Sequence, residues 1–172
     1  IVNYPHVSLF RSRVNKVDDN GILLAKDGYY EEYVNQLLFI AQCYNNVQIK
    51  CVSNYVYKTK ELKKAGGFVP FPLAWSSDLA TAIMMSKNGC VNTGGCYFNF
   101  RQSGLNISSK HNSAKESSLK VEGLLQYFKW LNILLDEISV DDKYEETTLK
   151  FVQDKHREEI QMMIKYDIIG IS

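Results

Sequence analysis

Residues 74–82 have the sequence Ala-Trp-Ser-Ser-Asp-Leu-Ala-Thr-Ala, and this stretch decides the fold that we expect. Two prolines and two glycines in residues 66–72 exclude a regular helix before it. We interpret Leu73–Trp75 as a brief strand. Ser76-Ser77-Asp78 supplies helix-capping side chains and predicts a helix over Leu79–Ser86. The stretch is therefore expected to be a strand that ends in hydroxyl groups and passes directly into a helix.

The hydrophobic pattern of the remaining sequence predicts an α+β protein. Residues 149–156 fit either a helix or a strand. The expected strands cover residues 7–14, 47–57, 96–100, 160–164 and 168–171. The expected helices cover residues 29–44 and 120–138, with a short helical turn at 58–64, and residues 88–95 and 108–118 are expected to be loops. We expect two small, mostly antiparallel sheets packed face to face, with the helices flanking them.

Composition limits the possible classes of protein. The 172 residues fit one domain, and 45% hydrophobic and 23% charged residues are ordinary for a globular chain. Twenty basic and nineteen acidic side chains give a net charge of +1, which counts against binding nucleic acid through a large basic excess. No apolar run approaches the roughly 20 residues of a membrane span. The spacing of cysteines and histidines suggests no metal site, and Cys90 and Cys96 fit either a small disulfide loop or free thiols.

Three short elements that lie far apart in the sequence carry the chemistry. The first is Phe10-Arg11, at an early strand. The second is the hydroxyl stretch that ends in Ser76-Ser77, followed by its helix. The third is Arg157-Glu158-Glu159-Ile160, where an acidic pair is expected to open a late strand. The order is an arginine, then hydroxyl groups, then a carboxylate.

This order resembles that of the ADP-ribosylating toxins, in the branch whose motif is Arg, then Ser-Thr-Ser, then Glu-x-Glu. Phe10-Arg11 is similar to the family's aromatic-arginine strand end. In the family a small residue of the following helix lies six positions after the hydroxyl strand, and Ala82 lies six positions after Ser76. The resemblance spans nearly the whole chain and implies a single ADP-ribosyltransferase-like domain over residues 1–172, with a helical insertion at about 117–140. Residues 168–171 resemble the closing strand of such domains.

The sequence also departs from the family pattern. Ala74-Trp75-Ser76 stands where the family has Ser-Thr-Ser, so one serine remains in register. Arg157 stands where arginine-modifying members carry Glu or Gln, which puts arginine as the acceptor in doubt. A shift of one residue would make Glu158 the catalytic carboxylate, with His156 two positions before it.

The chemistry of NAD cleavage gives each residue type a role. The bond between nicotinamide and ribose breaks through an oxocarbenium-like sugar, which a carboxylate stabilises, and Glu159 or Glu158 would supply that carboxylate. Arg11 would hold the pyrophosphate, because a guanidinium group offers a planar fork of donors. The remaining expected contacts to NAD are Ser12 beside Arg11, the hydroxyl groups of Ser76 and Ser77, and an aromatic stack on nicotinamide from Phe71, Trp75 or Tyr97.

The resemblance implies a mono-ADP-ribosyltransferase that uses NAD as substrate, needs no metal, and modifies a macromolecule that is most often a protein. Small domains of this kind are often toxins or effectors of bacteria or phages. One alternative keeps the fold as a binding module without activity. Another is a relative that modifies RNA through a basic face made by Lys58, Lys60, Lys63 and Lys64. Ile1 in place of Met fits the loss of an initiator or signal segment, or a longer parent chain with a possible partner.

Overall fold

The central strand of the fold is β1 (Leu9–Val17). The computed structural model describes residues 3–45, 49, 51–103 and 114–163. One edge of β1 pairs in parallel with β5 (Cys90–Arg101). The opposite edge pairs antiparallel with β4 (Tyr55–Tyr57) near the start of β1 and with β2 (Leu23–Lys26) near its end. β3 (Tyr33–Val34) pairs antiparallel with the first residues of β5, which completes a mixed five-stranded sheet.

This sheet confirms the α+β class but corrects the expected arrangement of strands. The described residues form one mixed sheet rather than two sheets that pack face to face. The longest pairing, between β1 and β5, is parallel. Parallel neighbours need a long crossover connection, and the helical segments between β1 and β5 supply it.

Five α-helices accompany the sheet in the part of the chain that the structure describes. They are α1 (Gln36–Tyr44), α2 (Thr59–Lys64), α3 (Ser77–Met85), α4 (Ala114–Glu137) and α5 (Lys143–Met163). The core joins Leu9, Tyr55 and Cys90 of the sheet to apolar side chains of α1, α3, α4 and α5. The predicted helices at 79–86 and 120–138 and the helical turn at 58–64 are confirmed.

Several segments differ from the predicted elements. Residues 114–118, which were expected to belong to a loop, form the start of α4. Residues 72–74 form a short 3₁₀ helix instead of a strand, and the expected loop at 88–95 is mostly the first half of β5. The helix expected from residue 29 begins at Gln36, because the Asn35 side chain accepts the Leu38 N–H at 2.8 Å and so caps it there. Of the strand expected at 47–57, only β4 is present among the described residues, and the predicted strand at 168–171 lies outside them.

The largest correction concerns residues 160–164, where a strand was expected and where the described residues belong to α5. Asp142 caps this helix by accepting the Glu145 N–H at 2.8 Å. Val152, His156 and Met163 are buried at spacings of four and seven residues, which is the period of one helix face. The acidic pair therefore lies within a helix and does not open a strand.

A buried ion pair between Arg11 and Asp27 fixes the centre of the sheet. Both side chains are fully buried, and Nη2 of Arg11 bonds Oδ2 of Asp27. The same carboxylate accepts the N–H groups of Val14 at 3.2 Å and Ile49 at 2.8 Å. The Arg11 guanidinium group also lies 4.7 Å from the ring centroid of Tyr30. Asp27 thus ties β1 to two loops through one side chain.

Removal of one member of this pair is expected to be costly, because it leaves the other charge buried without a partner. We expect Asp27→Ala to lower the free energy of unfolding by about 3–5 kcal/mol. The measurement is urea denaturation followed by circular dichroism. Asp19→Ala, in the exposed turn after β1, is the matched control and should change stability by less than about 0.5 kcal/mol. Equal effects of the two substitutions would contradict the central role of the pair.

Candidate functional site

The segment that connects Phe71 to α3 has strained backbone. Leu73, Ala74 and Ser76 have φ angles of 53°, 54° and 63°, which lie in the left-handed region. Side chains with a Cβ atom adopt that region at a cost of roughly 1–2 kcal/mol per residue. Such strain persists only where the surrounding structure enforces it, and it is concentrated at functional sites. Four of the predicted site residues lie in this segment, residues 71–77, which we call the strained loop.

Hydrogen bonds to the start of α3 hold the strained loop in place. The Ser77 hydroxyl group accepts the Phe71 N–H at 3.1 Å. The Thr81 hydroxyl group donates to the Ser77 carbonyl at 2.6 Å and accepts the Val69 N–H at 3.0 Å. Ser77 is buried and already engaged, whereas Ser76 is half-buried and its side chain does not cap α3. Of the two predicted serines, Ser76 is the one that a ligand can reach.

α4 forms a wall against the strained loop. Gly123 allows this approach, because a Cβ atom there would lie 2.9 Å from the Pro72 carbonyl oxygen and 3.2 Å from the Trp75 Cβ. The Lys120 ammonium group lies 4.3 Å from the centroid of the Trp75 ring. The Phe71 ring meets the Tyr127 ring edge-on, at 6.3 Å between centroids. Both aromatic residues of the loop are therefore packed on α4.

A chain of hydrogen bonds connects Tyr127, which contacts the strained loop, to His156 of α5. The Tyr127 and Tyr44 hydroxyl groups are hydrogen-bonded, and the Tyr44 hydroxyl lies 2.9 Å from Nδ1 of His156. Nε2 of His156 lies 3.3 Å from the Phe128 carbonyl oxygen. Because a carbonyl can only accept, Nε2 carries the proton and Nδ1 accepts from Tyr44. His156 is thereby held neutral in the core.

Glu159 lies one helical turn beyond His156, close enough to act on the same tyrosines. Burial, followed by the negative charge of Glu159, raises the pKa of Tyr44. Burial, with smaller contributions that include Glu159, also raises the pKa of Tyr127. Glu159 itself is exposed. The negative charge of Glu159 thus acts on the same buried tyrosine whose ring meets Phe71 of the strained loop.

Glu158 points to solvent. Its side chain is 60% exposed and forms an ion pair with Lys155 at 2.6 Å on the surface of α5. Arg157 next to it pairs with Asp154 at 3.2 Å. These contacts are short-range pairs along one helix, which contribute little to stability. Among the two predicted carboxylates, Glu159 is the one that lies near the aromatic residues.

Arg11, Ser12 and Tyr97 lie on the sheet and not at the strained loop. The Arg11 side chain is fully buried, so its guanidinium group does not line an open groove in this state. Ser12 is half-buried, and its hydroxyl group donates to the Arg13 carbonyl at 3.1 Å. Tyr97 is 80% exposed on β5. The structure therefore separates Arg11, Ser12 and Tyr97 from the strained loop, although the sequence analysis assigned all of these residues to one NAD site.

A separate open cleft of about 460 Å³ lies at the other end of the helical layer. It is bounded by the starts of α1 and α5 and by the ends of α3 and α4. Its lining comprises Asn35, Gln36, Leu37, Met84, Lys87, Leu134, Glu137, Ile138, Ser139 and Glu145. None of the predicted site residues lines this cleft.

Sequence reasoning missed Tyr44, Tyr127 and His156. Both tyrosines fall within the expected helices at 29–44 and 120–138 and were given no role there. A signal for Tyr127 was present, since it precedes Phe128 and lies four residues after Gly123 on the same helix face. His156 gave no such signal, because its burial depends on α5, which was not predicted.

Comparisons with known protein families, curated proteins and solved structures find no match to this chain. Within residues 3–45, 49, 51–103 and 114–163, no group of three or more His, Cys, Asp or Glu side chains could hold a metal ion. The four cysteines are free thiols, and Cys90 is buried on β5. No helix in the described segments is long and apolar enough to cross a membrane.

Relief of strain in the loop should stabilise the protein. Ala74 is exposed and has a φ of 54°, which glycine adopts without a steric penalty. We expect Ala74→Gly to raise the free energy of unfolding by up to about 1 kcal/mol. Ala65→Gly is the matched control, because Ala65 is exposed with a φ of −77°, and it should lower stability. Urea denaturation of both variants provides the comparison, and a stability loss for Ala74→Gly would contradict the strain.

The neutral state of His156 should make stability depend on pH. Burial lowers the pKa of His156 below its ordinary value of 6.5, against a smaller opposing effect of the hydrogen bond to Phe128. Between the lowered pKa and about pH 6.5, the unfolded chain therefore binds more protons at His156 than the folded chain does. We expect the contribution of His156 to be complete above pH 6.5 and to be lost as the pH falls through the lowered pKa.

The measurement is the free energy of unfolding between pH 5 and pH 8. His156→Gln should flatten this profile relative to the wild-type protein. His6→Gln, at an exposed position, serves as the control and should leave the profile unchanged. A wild-type slope that survives in His156→Gln would assign the pH dependence to other groups.

Proposed function

We propose that this chain is an NAD-dependent mono-ADP-ribosyltransferase that transfers ADP-ribose to a macromolecule, in the simplest case a protein, and releases nicotinamide. The observation that carries the proposal is the strained loop, because the hydroxyl motif predicted from the sequence coincides with three left-handed residues. Strain of this kind is retained where a fixed backbone geometry serves a function. The order of Arg11, Ser76 and Glu159 along the chain is the second support.

In this proposal Glu159 stabilises the positive charge that develops on the ribose as the bond to nicotinamide breaks. Nicotinamide leaves with the bonding electron pair. The acceptor atom of the target then forms a bond to the ribose carbon and releases its proton to a base or to solvent. The half-buried Ser76 hydroxyl group would hydrogen-bond the ribose, and the ring of Trp75 or Phe71 would contact the nicotinamide.

The pyrophosphate of NAD requires a cation. Arg11 can take this role only if its guanidinium group exchanges Asp27 for the phosphates, because the two side chains are paired and buried. Lys120 offers a second cation without such an exchange, since its ammonium group lies over Trp75 beside the strained loop. An ammonium group binds phosphate as a point charge, with less geometric selectivity than a guanidinium group.

The burial of Arg11 specifically favours a second candidate, a binding module without transferase activity. The Arg11 side chain is buried and paired with Asp27, so it does not face a groove where it could hold the pyrophosphate as the resemblance implies. The position of Glu159 on the exposed side of a helix is also compatible with this candidate. The two candidates make different predictions for NAD turnover, and they share the prediction of a ligand near the strained loop.

The test is incubation of the folded protein with labelled NAD, alone and with a cell lysate, followed by detection of free nicotinamide and of labelled macromolecules. We expect Glu159→Gln to reduce nicotinamide release by roughly 10²- to 10³-fold, since one charge-stabilising group is lost. Glu158→Gln tests the alternative carboxylate. Glu146→Gln, an exposed glutamate near the start of α5, is the control and should retain full activity.

Thermal unfolding with and without NAD separates the outcomes, because a ligand that binds the native state raises the unfolding temperature. Stabilisation by NAD without turnover would support the binding module. Turnover that Glu159→Gln and Glu158→Gln leave unchanged would contradict the proposed site. A folded protein that neither binds nor cleaves NAD would contradict the proposal as a whole.

A further inference from the structure

One end of the sheet exposes a basic face that carries aromatic side chains. Asn15 of β1 lies opposite Asn99 of β5 and opposite Lys26 of β2. Directly paired residues project from the same face of a sheet, and the Asn15 side chain donates to that of Asn99 at 3.1 Å. Arg101 lies two residues from Asn99 and therefore projects from the same face. Arg13 and Tyr97 adjoin this row at a β-bulge, where strict alternation is interrupted. We call these six residues the open sheet face.

Most of this face is exposed among the described residues. Arg13 and Asn15 are half-buried. Lys26, Tyr97, Asn99 and Arg101 are all exposed. The face is thus available to a ligand in the part of the chain that the structure describes.

The charge on this end of the sheet has one sign. Three of the six residues of the open sheet face are basic, namely Arg13, Lys26 and Arg101, and none is acidic. The next acid along the chain, Asp18, accepts the N–H groups of Asn20 at 2.9 Å and Ile22 at 2.8 Å in the turn after β1. The overall net charge of +1 therefore conceals a local basic surface. A ligand of complementary charge is an anion.

Two exposed tyrosines, Tyr97 and Tyr29, indicate which class of anion this surface would bind. Tyr97 is the extra residue of a β-bulge, because Arg13 pairs with Cys96 and the following Val14 pairs with Phe98. A bulge redirects a side chain, and Tyr97 is 80% exposed. Its ring lies over Gly95, where a Cβ atom would come within 2.8 Å of the ring. The absence of a Cβ atom at Gly95 therefore leaves room for the hydroxyl end of this ring.

Tyr29 forms a second aromatic surface beside the first. It is 76% exposed, and its ring lies 5.5 Å from the Arg13 guanidinium carbon. Arg13 donates to the carbonyl groups of Gly28 at 2.7 Å, Asp27 at 2.9 Å and Gly94 at 2.7 Å. These bonds hold the Tyr29 loop against the start of the Tyr97 bulge. The two rings are thus attached to one rigid arginine-centred support.

We propose that the open sheet face, with Tyr29, binds single-stranded nucleic acid. Exposed aromatic rings stack on unpaired bases, and cations beside them track the phosphates, which is how sequence-tolerant single-strand binding arises. The amide groups of Asn15 and Asn99 add donors and acceptors for base edges or sugar hydroxyl groups. A duplex does not fit the same surface, because its bases are already stacked. The inference does not rest on the proposed transferase activity.

The test is fluorescence anisotropy with a labelled 12-nucleotide oligouridylate, the corresponding oligothymidylate, and a duplex of the same length. We expect Tyr97→Ala and Tyr29→Ala each to weaken binding of a single strand by about tenfold, since one stacked base is lost. Tyr144→Ala is the matched control, because Tyr144 is a tyrosine of α5 that is 67% exposed. Lys26→Ala should reduce the slope of log K against log salt by about 0.7, and Lys129→Ala should not.

Saturable binding of the RNA or the DNA strand, with these effects of the variants, supports the proposal. Tighter binding of the RNA would identify the 2′-hydroxyl group as part of the recognition. Binding of the duplex as tight as that of the single strands would overturn it, and so would equal effects of Tyr97→Ala and Tyr144→Ala. Equal competition by polyglutamate would also overturn it, because an acidic protein would then suffice as partner.

Discussion

The buried pair of Arg11 and Asp27 is the interaction on which the rest of the structure depends. A charge in the centre of a sheet is tolerated only with a partner, and Asp27 supplies one while it also accepts two backbone N–H groups. The pair fixes the loop after β2 against β1, and the same loop carries Tyr30 over the guanidinium group. Arg13 then ties that loop to β5, so two arginines of one strand organise both of its edges.

The structure gives Arg11 a different role from the one that the sequence predicted. The order of motifs identified Arg11 as a ligand-binding residue, whereas the structure shows it as a buried member of an ion pair. The sequence did not contain the reason, because the partner, Asp27, lies in a stretch with no hydrophobic period of its own. The sequence alone does not distinguish a buried, paired arginine from one that binds a ligand. The distinction requires the position of the acidic partner, which only the fold gives.

The predictable parts of the fold are those where local signals are strong. The helix after Ser76-Ser77-Asp78 and the long helix around Leu131 were predicted because capping residues and a broad apolar stripe identify them. β5 was predicted only from Cys96 onward, because Gly94 and Gly95 are typical of a loop. The first half of this strand is stabilised by pairing with its parallel neighbour β1, which the sequence does not show. α5 was missed in part because Ile160 and Met163 fit a strand as well as a helix. The left-handed backbone at Leu73 and Ala74 has no sequence signature, because neither residue type favours it.

The parallel pairing of β1 with β5 has a consequence for the order in which the molecule assembles. Arg11 and its hydrogen-bonding partner Asn92 are 81 positions apart, so the central strand acquires its longest neighbour late, after most of the intervening chain has collapsed. Contacts between residues so far apart in the sequence form slowly, because a long loop must close, at a cost in chain entropy, before the contacts can stabilise the structure. On the ribosome, β1 with its ionised arginine emerges early and stays without that neighbour until residues 90–101 follow. The bond between Arg11 and Asp27 closes a loop of only 16 positions, so its loop-closure entropy cost is smaller than that of the pairing with β5.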